Sequence, residues 1–178
     1  MDDTTLIIEC VNGNVKAQRF LFDKFAPKML AVCMRYTKNK SDAEDVLQDA
    51  FIKVFKNIGA FKNEGSLEGW IRRIMVNTSL DQIRKNNKFL KDTELDAVSY
   101  KLEKTDFSFD NLETEDLLKM INNMPNGYKI VFNMFAIEGY SHQEIASTLG
   151  VSENTSKSQY LRARSYLKNE LEKINFER

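Results

Sequence analysis

With 178 residues, 42% of them hydrophobic, the chain allows one good domain or two small ones, and neither core would be large. Lysine plus arginine and aspartate plus glutamate number 26 each, so the net charge is zero; this counts against an autonomous DNA binder, which is usually clearly basic. Cys10 and Cys33 form no CxxC and have no histidine nearby, which suggests buried thiols in a reducing compartment rather than a metal site or disulfide. No apolar run approaches the roughly 18 residues of a membrane span, and the acidic start Met1-Asp2-Asp3 does not resemble a signal region, so a cytoplasmic chain without membrane insertion is expected.

Thr4 to Val11 reads as a short helix, broken by Asn12-Gly13, with Asn14 able to cap the next. Ala17, Phe20, Leu21, Phe25, Met29, Leu30 and Cys33 continue at helical spacing to about Thr37, and Pro27 predicts a kink or break. Ser41-Asp42-Ala43-Glu44 has the form of a capping box, in which serine takes a helix amide and glutamate reaches back to the cap amide. Behind it Ala43, Val46, Leu47, Ala50, Phe51, Val54 and Phe55 form an apolar face. The opposite side carries Asp42, Glu44, Asp45, Gln48 and Asp49. Acids in a first turn are explained by the helix dipole, but that effect fades after one turn. For Asp49 this leaves a basic protein partner as the alternative to a dipole-held acid.

Phe61 to Gly65, FKNEG, reads as a polar loop, and Ser66 as the cap of a helix to about Asn86 with the inner stripe Leu67, Trp70, Ile71, Ile74 and Thr78. Arg73, Asn77, Arg84 and Lys88 share another face, and seven bases against three acids between Lys62 and Lys91 make the segment cationic. Such a face suits nucleic acid as well as solvent. Lys91 to Glu115 holds eight acids and no steady apolar period, which predicts a flexible acidic linker between two domains.

After the linker, Leu117, Leu118, Met120 and Ile121 form a short helix ending before Pro125, and Asn126-Gly127 reads as a turn. Val131, Phe132, Met134, Phe135 and Ile137 make the next helix, closed by Gly139. Ser141 and Glu144 form a second capping box; Ile145, Ala146 and Leu149 follow, then Gly150 as a left-handed stop and Ser152 as a new cap. Two short helices around a glycine turn spell a helix-turn-helix, whose second helix enters the DNA major groove. In that second helix Ser156, Tyr160, Ala163, Leu167, Leu171 and Ile174 face inward, while Asn154, Lys157, Ser158 and Arg162 project elsewhere. His142, in the first turn of the preceding helix, reads as a surface residue rather than a ligand. No strand pattern competes. The expected fold is all-α: a helical domain over 1–90, a linker over 91–115, and a winged-helix-like four-helix domain over 116–178 that contains the helix-turn-helix.

These parts, in this order, resemble the bacterial RNA polymerase sigma factors of the compact extracytoplasmic function type. SDAEDVLQDAFIKVF, Ser41 to Phe55, is similar to the family's second-region helix; FKNEGSLEGWIRRIMVNTSLDQIRK, Phe61 to Lys85, to its promoter-melting and −10 segment; Pro125 to Leu167 to its fourth region. The resemblance implies that Asp42, Glu44, Asp45, Gln48 and Asp49 face the clamp helices of the beta-prime subunit, with the beta flap as a further contact on core polymerase. It implies that Lys62, Asn63 and Glu64 approach a flipped −10 base while Arg73, Asn77, Arg84 and Lys88 hold the separated strand; flipping costs a few kcal/mol. Thr155, Lys157, Ser158 and Arg162 would sit in the −35 major groove, Arg162 and Arg164 near phosphates, with Ser152, Asn154 and Gln159 on the same surface. Promoter DNA, core polymerase and an anti-sigma factor are the implied partners, with no metal or cofactor. Where many members carry valine or isoleucine the chain has Ser156, which either weakens packing or bonds back to a carbonyl one turn earlier, and Gln159 stands in place of an arginine.

A stand-alone helix-turn-helix regulator is the rival reading, but it leaves the acidic helix and the whole first domain without a task. A nucleic-acid enzyme would need acid-base or metal groups, and the sequence holds no GxxxxGKS, no HExxH and no nucleophile motif. A protein-binding adaptor that never touches DNA is the third possibility.

Overall fold

The computed structural model describes residues 2–85 and 114–176, and every regular element in them is helical. Lys88 and residues 91–113 of the expected linker lie outside the described residues, while Thr114 and Glu115 already open a helix. The chain divides into two compact units, 1–87 and 88–178.

In unit 1, α1 (Asp3–Val11) is capped by Asp2 and α2 (Val15–Met34) by Asn14, whose side chain accepts from the amides of Lys16 and Ala17. Helix α2 does not break at Pro27: Phe25 and Met29, buried on either side, hold it against the core while proline removes one backbone donor. Helices α3 (Lys40–Asn57) and α4 (Leu67–Lys85) pack on α2 and on each other, and a 3-10 turn, Ile58–Ala60, receives α1. Leu6, Leu21, Met29, Ile58, Ile71 and Met75 are fully enclosed. At about 25 cal/mol per Å² of apolar surface removed from water, this shared core is the main stabilising term of the unit. Both thiols are free and buried, and burial pushes Cys33 up to about 11.

The cap of α3 differs from expectation. Asn39, not Ser41, is the N-cap: its Oδ1 accepts from the Asp42 amide at 2.8 Å and its Nδ2 donates to Asp42 Oδ2 at 3.0 Å. Asparagine caps as strongly as serine, and here it brings Lys40 and Ser41 into the helix, so that Glu44 pairs with Lys40.

In unit 2, α5 (Thr114–Asn123) leads to α6 (Asn126–Phe132), a π-helical turn (Asn133–Ile137), α7 (His142–Leu149) and α8 (Glu153–Phe176). Asn126-Gly127 is not the turn: Pro125 holds extended backbone as N-cap, and its carbonyl accepts from the Lys129 amide at 3.0 Å, so helix begins at once. Met120, Ile121, Met124, Tyr128, Ala163 and Leu167 form a core of α5, α6 and α8.

Candidate nucleic-acid interface

Three surfaces carry the expected site residues, two on unit 1 and one on unit 2. On α3, Ala43, Val46, Leu47, Ala50, Phe51 and Val54 are buried, and this turns Asp42, Glu44, Asp45, Gln48 and Asp49 to solvent. Asp42 is engaged by Asn39 and Glu44 by Lys40, 3.5 Å away, so the cap and the first turn account for both. Asp45 and Asp49 have no ion-pair partner among the described residues. Ile52, 52% exposed, and Lys56 continue the same face, one apolar and one basic position that spacing alone had not singled out. Beside them a cleft of about 480 Å³ opens between α3 and α4, floored by Val46 and Thr78 and rimmed by Asp49, Ile52, Lys56 and Lys85. Across it Lys53 donates to Thr78 Oγ1 at 3.1 Å and to Asp81 at 3.2 Å, and Asp81 also takes Arg84 at 3.1 Å.

The second surface is the loop ahead of α4. Lys62, Asn63 and Glu64 are exposed, and the chain reverses through two left-handed residues, Asn63 at φ 57° and Gly65 at φ 98°. Asparagine is among the few side chains that adopt this conformation readily. The loop's ends are fixed: Phe61 packs on Trp70 with ring centroids 5.7 Å apart, and Ser66 Oγ accepts from the Gly69 amide at 3.0 Å. Glu68 ties the first turn of α4 to α2 through Lys28 at 3.0 Å, a bond that holds its carboxyl below the usual carboxylate range, with Arg72 adding to the effect. Arg73, Asn77 and Arg84 are exposed on α4. The buried face of α4 is wider than expected: Met75, Val76, Ser79 and Leu80 are enclosed, and Trp70 and Ile74 only partly.

The third surface is the helix-turn-helix. Ser141 and Glu144 form the expected capping box, with Glu144 amide to Ser141 Oγ 3.2 Å and Ser141 amide to Glu144 Oε2 2.9 Å. Gly150 closes α7 in the left-handed region at φ 70°. Ser152 Oγ then accepts from the Thr155 amide at 3.0 Å and caps α8. Asn154, Lys157 and Ser158 are exposed and Thr155, Arg162 and Arg164 half-buried. The basic face is less bare than the sequence suggested, because Glu153 takes Lys157 at 2.7 Å, which lowers the glutamate's pKa.

Each unit is matched over most of its described length by a family model: Sigma-70 region 2 matches residues 21–89, and Sigma-70 region 4 matches residues 114–167. The chain belongs to the sigma-70 family. Within it, the chain is similar to the ECF RNA polymerase sigma-E factor of Haemophilus influenzae, 25% identical over 98% of this chain and 97% of that protein. The ECF RNA polymerase sigma factor SigE of Mycolicibacterium smegmatis is 29% identical over 88% of this chain and 62% of that longer protein. The fold is shared with a solved structure of the sigma factor RpoE in complex with the anti-sigma factor NepR from Bartonella quintana, at a TM-score of 0.57 and 23% identity, covering 89% of this chain and 98% of that one. The chain is thus an extracytoplasmic-function sigma factor that binds core RNA polymerase and directs promoter-specific transcription initiation. A stand-alone regulator would not need region 2. None of the described helices is long and apolar enough to cross a membrane.

Region 4 corrects three expectations. Gln159 is 4% exposed and lies on the inner stripe, three residues after Ser156 and four before Ala163, so it cannot meet a base; the i, i+3, i+4 spacing was the signal for it. Ser156, 0% exposed, bonds across to the preceding helix rather than back along its own: its Oγ meets His142 Nδ1 at 2.9 Å. His142 is only partly a surface residue. Its ring is half-buried, stacked on Phe135 at 4.2 Å and 12°, with the edge of Tyr160 at 5.9 Å. Leu161, 39% exposed between Lys157 and Arg162, is an outward apolar position that the helical spacing could have flagged.

Proposed function

We propose that unit 1 docks on polymerase through α3 and reads the −10 element through the FKNEG loop and α4, while unit 2 reads the −35 element through α8. In this reading Asp45, Gln48, Asp49 and Ile52 meet basic and apolar residues of the clamp helices, with Asp42 and Glu44 at the rim. Lys62, Asn63 and Glu64 approach the flipped base, and Arg73, Asn77, Arg84 and Lys88 follow the strand. Asn154, Thr155, Lys157, Ser158 and Arg162 face the −35 groove; Ser152 and Arg164 flank it. The domain roles run over 1–90 and 116–178. The observation that carries the reading is the pair Asp45 and Asp49, acids without an ion-pair partner among the described residues, on a helix whose opposite face is core, in a chain that also holds a capped helix-turn-helix.

The chain acts by binding and needs no catalytic group of its own, and it works in the bacterial cytoplasm where polymerase meets DNA. An anti-sigma factor that masks these faces is the natural regulator; the structural relative bound to NepR supports that partner class. Run-off transcription with core polymerase on genomic templates tests the proposal. Promoter-specific transcripts that depend on the added chain are expected, and their absence on every template would sink it.

A further inference from the structure

We propose that His142 and Ser156 form a positioning pair for −35 reading: the imidazole holds the serine hydroxyl and through it sets the angle at which α8 presents its reading face. The inference rests on α8 being the DNA-reading helix. Ser156 stands where the stripe Tyr160, Ala163 and Leu167 would call for an aliphatic group, and a hydroxyl at 0% exposure needs a partner. The partner is Nδ1 of the first residue of α7, at 2.9 Å, so the bond ties the N-terminal ends of the two helices.

The imidazole is itself immobilised. Phe135 of the π-helical turn stacks on it, Tyr160 of α8 closes one edge, and Phe135 and Tyr160 touch at 4.6 Å. The bond is thus anchored to the helix before the helix-turn-helix as well as to its two members. Gln159, the next buried polar group of the stripe, has no hydrogen-bond partner at its Oε1 among the described residues. Thr155 and Lys157 flank Ser156 directly, and Arg162 lies six residues further, about 9 Å along the axis at 1.5 Å per residue. A tilt about Ser156 therefore displaces every outward group of α8. Geometry of this kind governs the bidentate and phosphate contacts of a recognition helix, whose N-terminal residues meet base edges.

The test uses the full chain assembled with core polymerase and reads protection of the −35 element. Ser156→Thr keeps the hydroxyl, and Ser156→Val has the same shape without it, so packing strain is common to both. Ser156→Val and His142→Leu are each expected to weaken −35 protection roughly three- to tenfold, Ser156→Thr less than about twofold, and the double variant no more than either single. Valine and threonine behaving alike, or losses that multiply in the double variant, would overturn the pair. Lys157→Ala and Arg162→Ala run in parallel. If these two weaken protection while valine matches threonine, the pair alone fails; if neither matters, α8 is not the reader and the inference falls with it.

Discussion

The imidazole of His142 is the chain's sole histidine, and its environment favours the neutral form. Partial burial is the first cause, and the Lys157 ammonium adds to it; Glu153 opposes both and does not prevail. The pKa in the folded chain therefore lies below the usual 6.5. On unfolding the ring regains its ordinary affinity for protons, so as pH falls below 6.5 the unfolded chain takes up the proton first. The contribution to unit 2 is present in full above about pH 6.5 and is lost as pH falls through the folded value. A single histidine makes this directly measurable, since one ring proton titrates alone in an NMR spectrum. The midpoint should lie below 6.5 in the native chain and return to about 6.5 in denaturant; equal midpoints would mean that neither burial nor Lys157 acts on the ring.

At the scale of elements, capping chemistry and apolar period made nearly every helix legible, and the misplaced boundaries have physical causes. Ser41 and Glu44 satisfy the capping-box pattern, yet Asn39 two residues earlier caps equally well and lengthens the helix by Lys40 and Ser41. Asn39→Ala should therefore cost about 1 kcal/mol in unit 1 and Ser41→Ala less than about 0.5, read from chemical denaturation; the reverse order would restore serine as the cap. Asn126-Gly127 looked like a turn because that dipeptide usually is one, but Pro125 takes the N-cap position, its carbonyl accepts from the Lys129 amide, and Gly127 is buried within the helix that follows. A one-face stripe described α3 well and α4 poorly. Helix α4 packs against both α2 and α3, so it buries Met75, Val76, Ser79 and Leu80 over an arc that a single stripe underestimates. The same limit hid the interior position of Gln159, whose polarity suggested a reader where its spacing placed it in the seam. The bond from Ser156 to His142 was not legible at all, because its partners lie 14 residues apart on separate helices.

For the whole molecule the decisive quantity is charge. A net charge of zero gives long-range attraction to DNA no footing, although the FKNEG loop with α4 and the outer side of α8 are locally cationic. Promoter affinity then has to come from bringing the two surfaces to bear together on polymerase, and the acidic face of α3 is the part that engages polymerase in this reading. Replacing Asp45 and Asp49 by lysine separates the two effects, because it moves the net charge from zero to +4 on exposed positions that hold nothing in the core. Binding of the isolated chain to any DNA should tighten, since more positive charge meets phosphate, and that gain should fade as salt is raised past the screening range. Promoter-specific initiation with core polymerase should be abolished, because two bases would then confront basic clamp residues at close range. The two readouts move in opposite directions, so a variant that simply misfolds cannot imitate the result, and unchanged initiation would remove α3 from the polymerase interface.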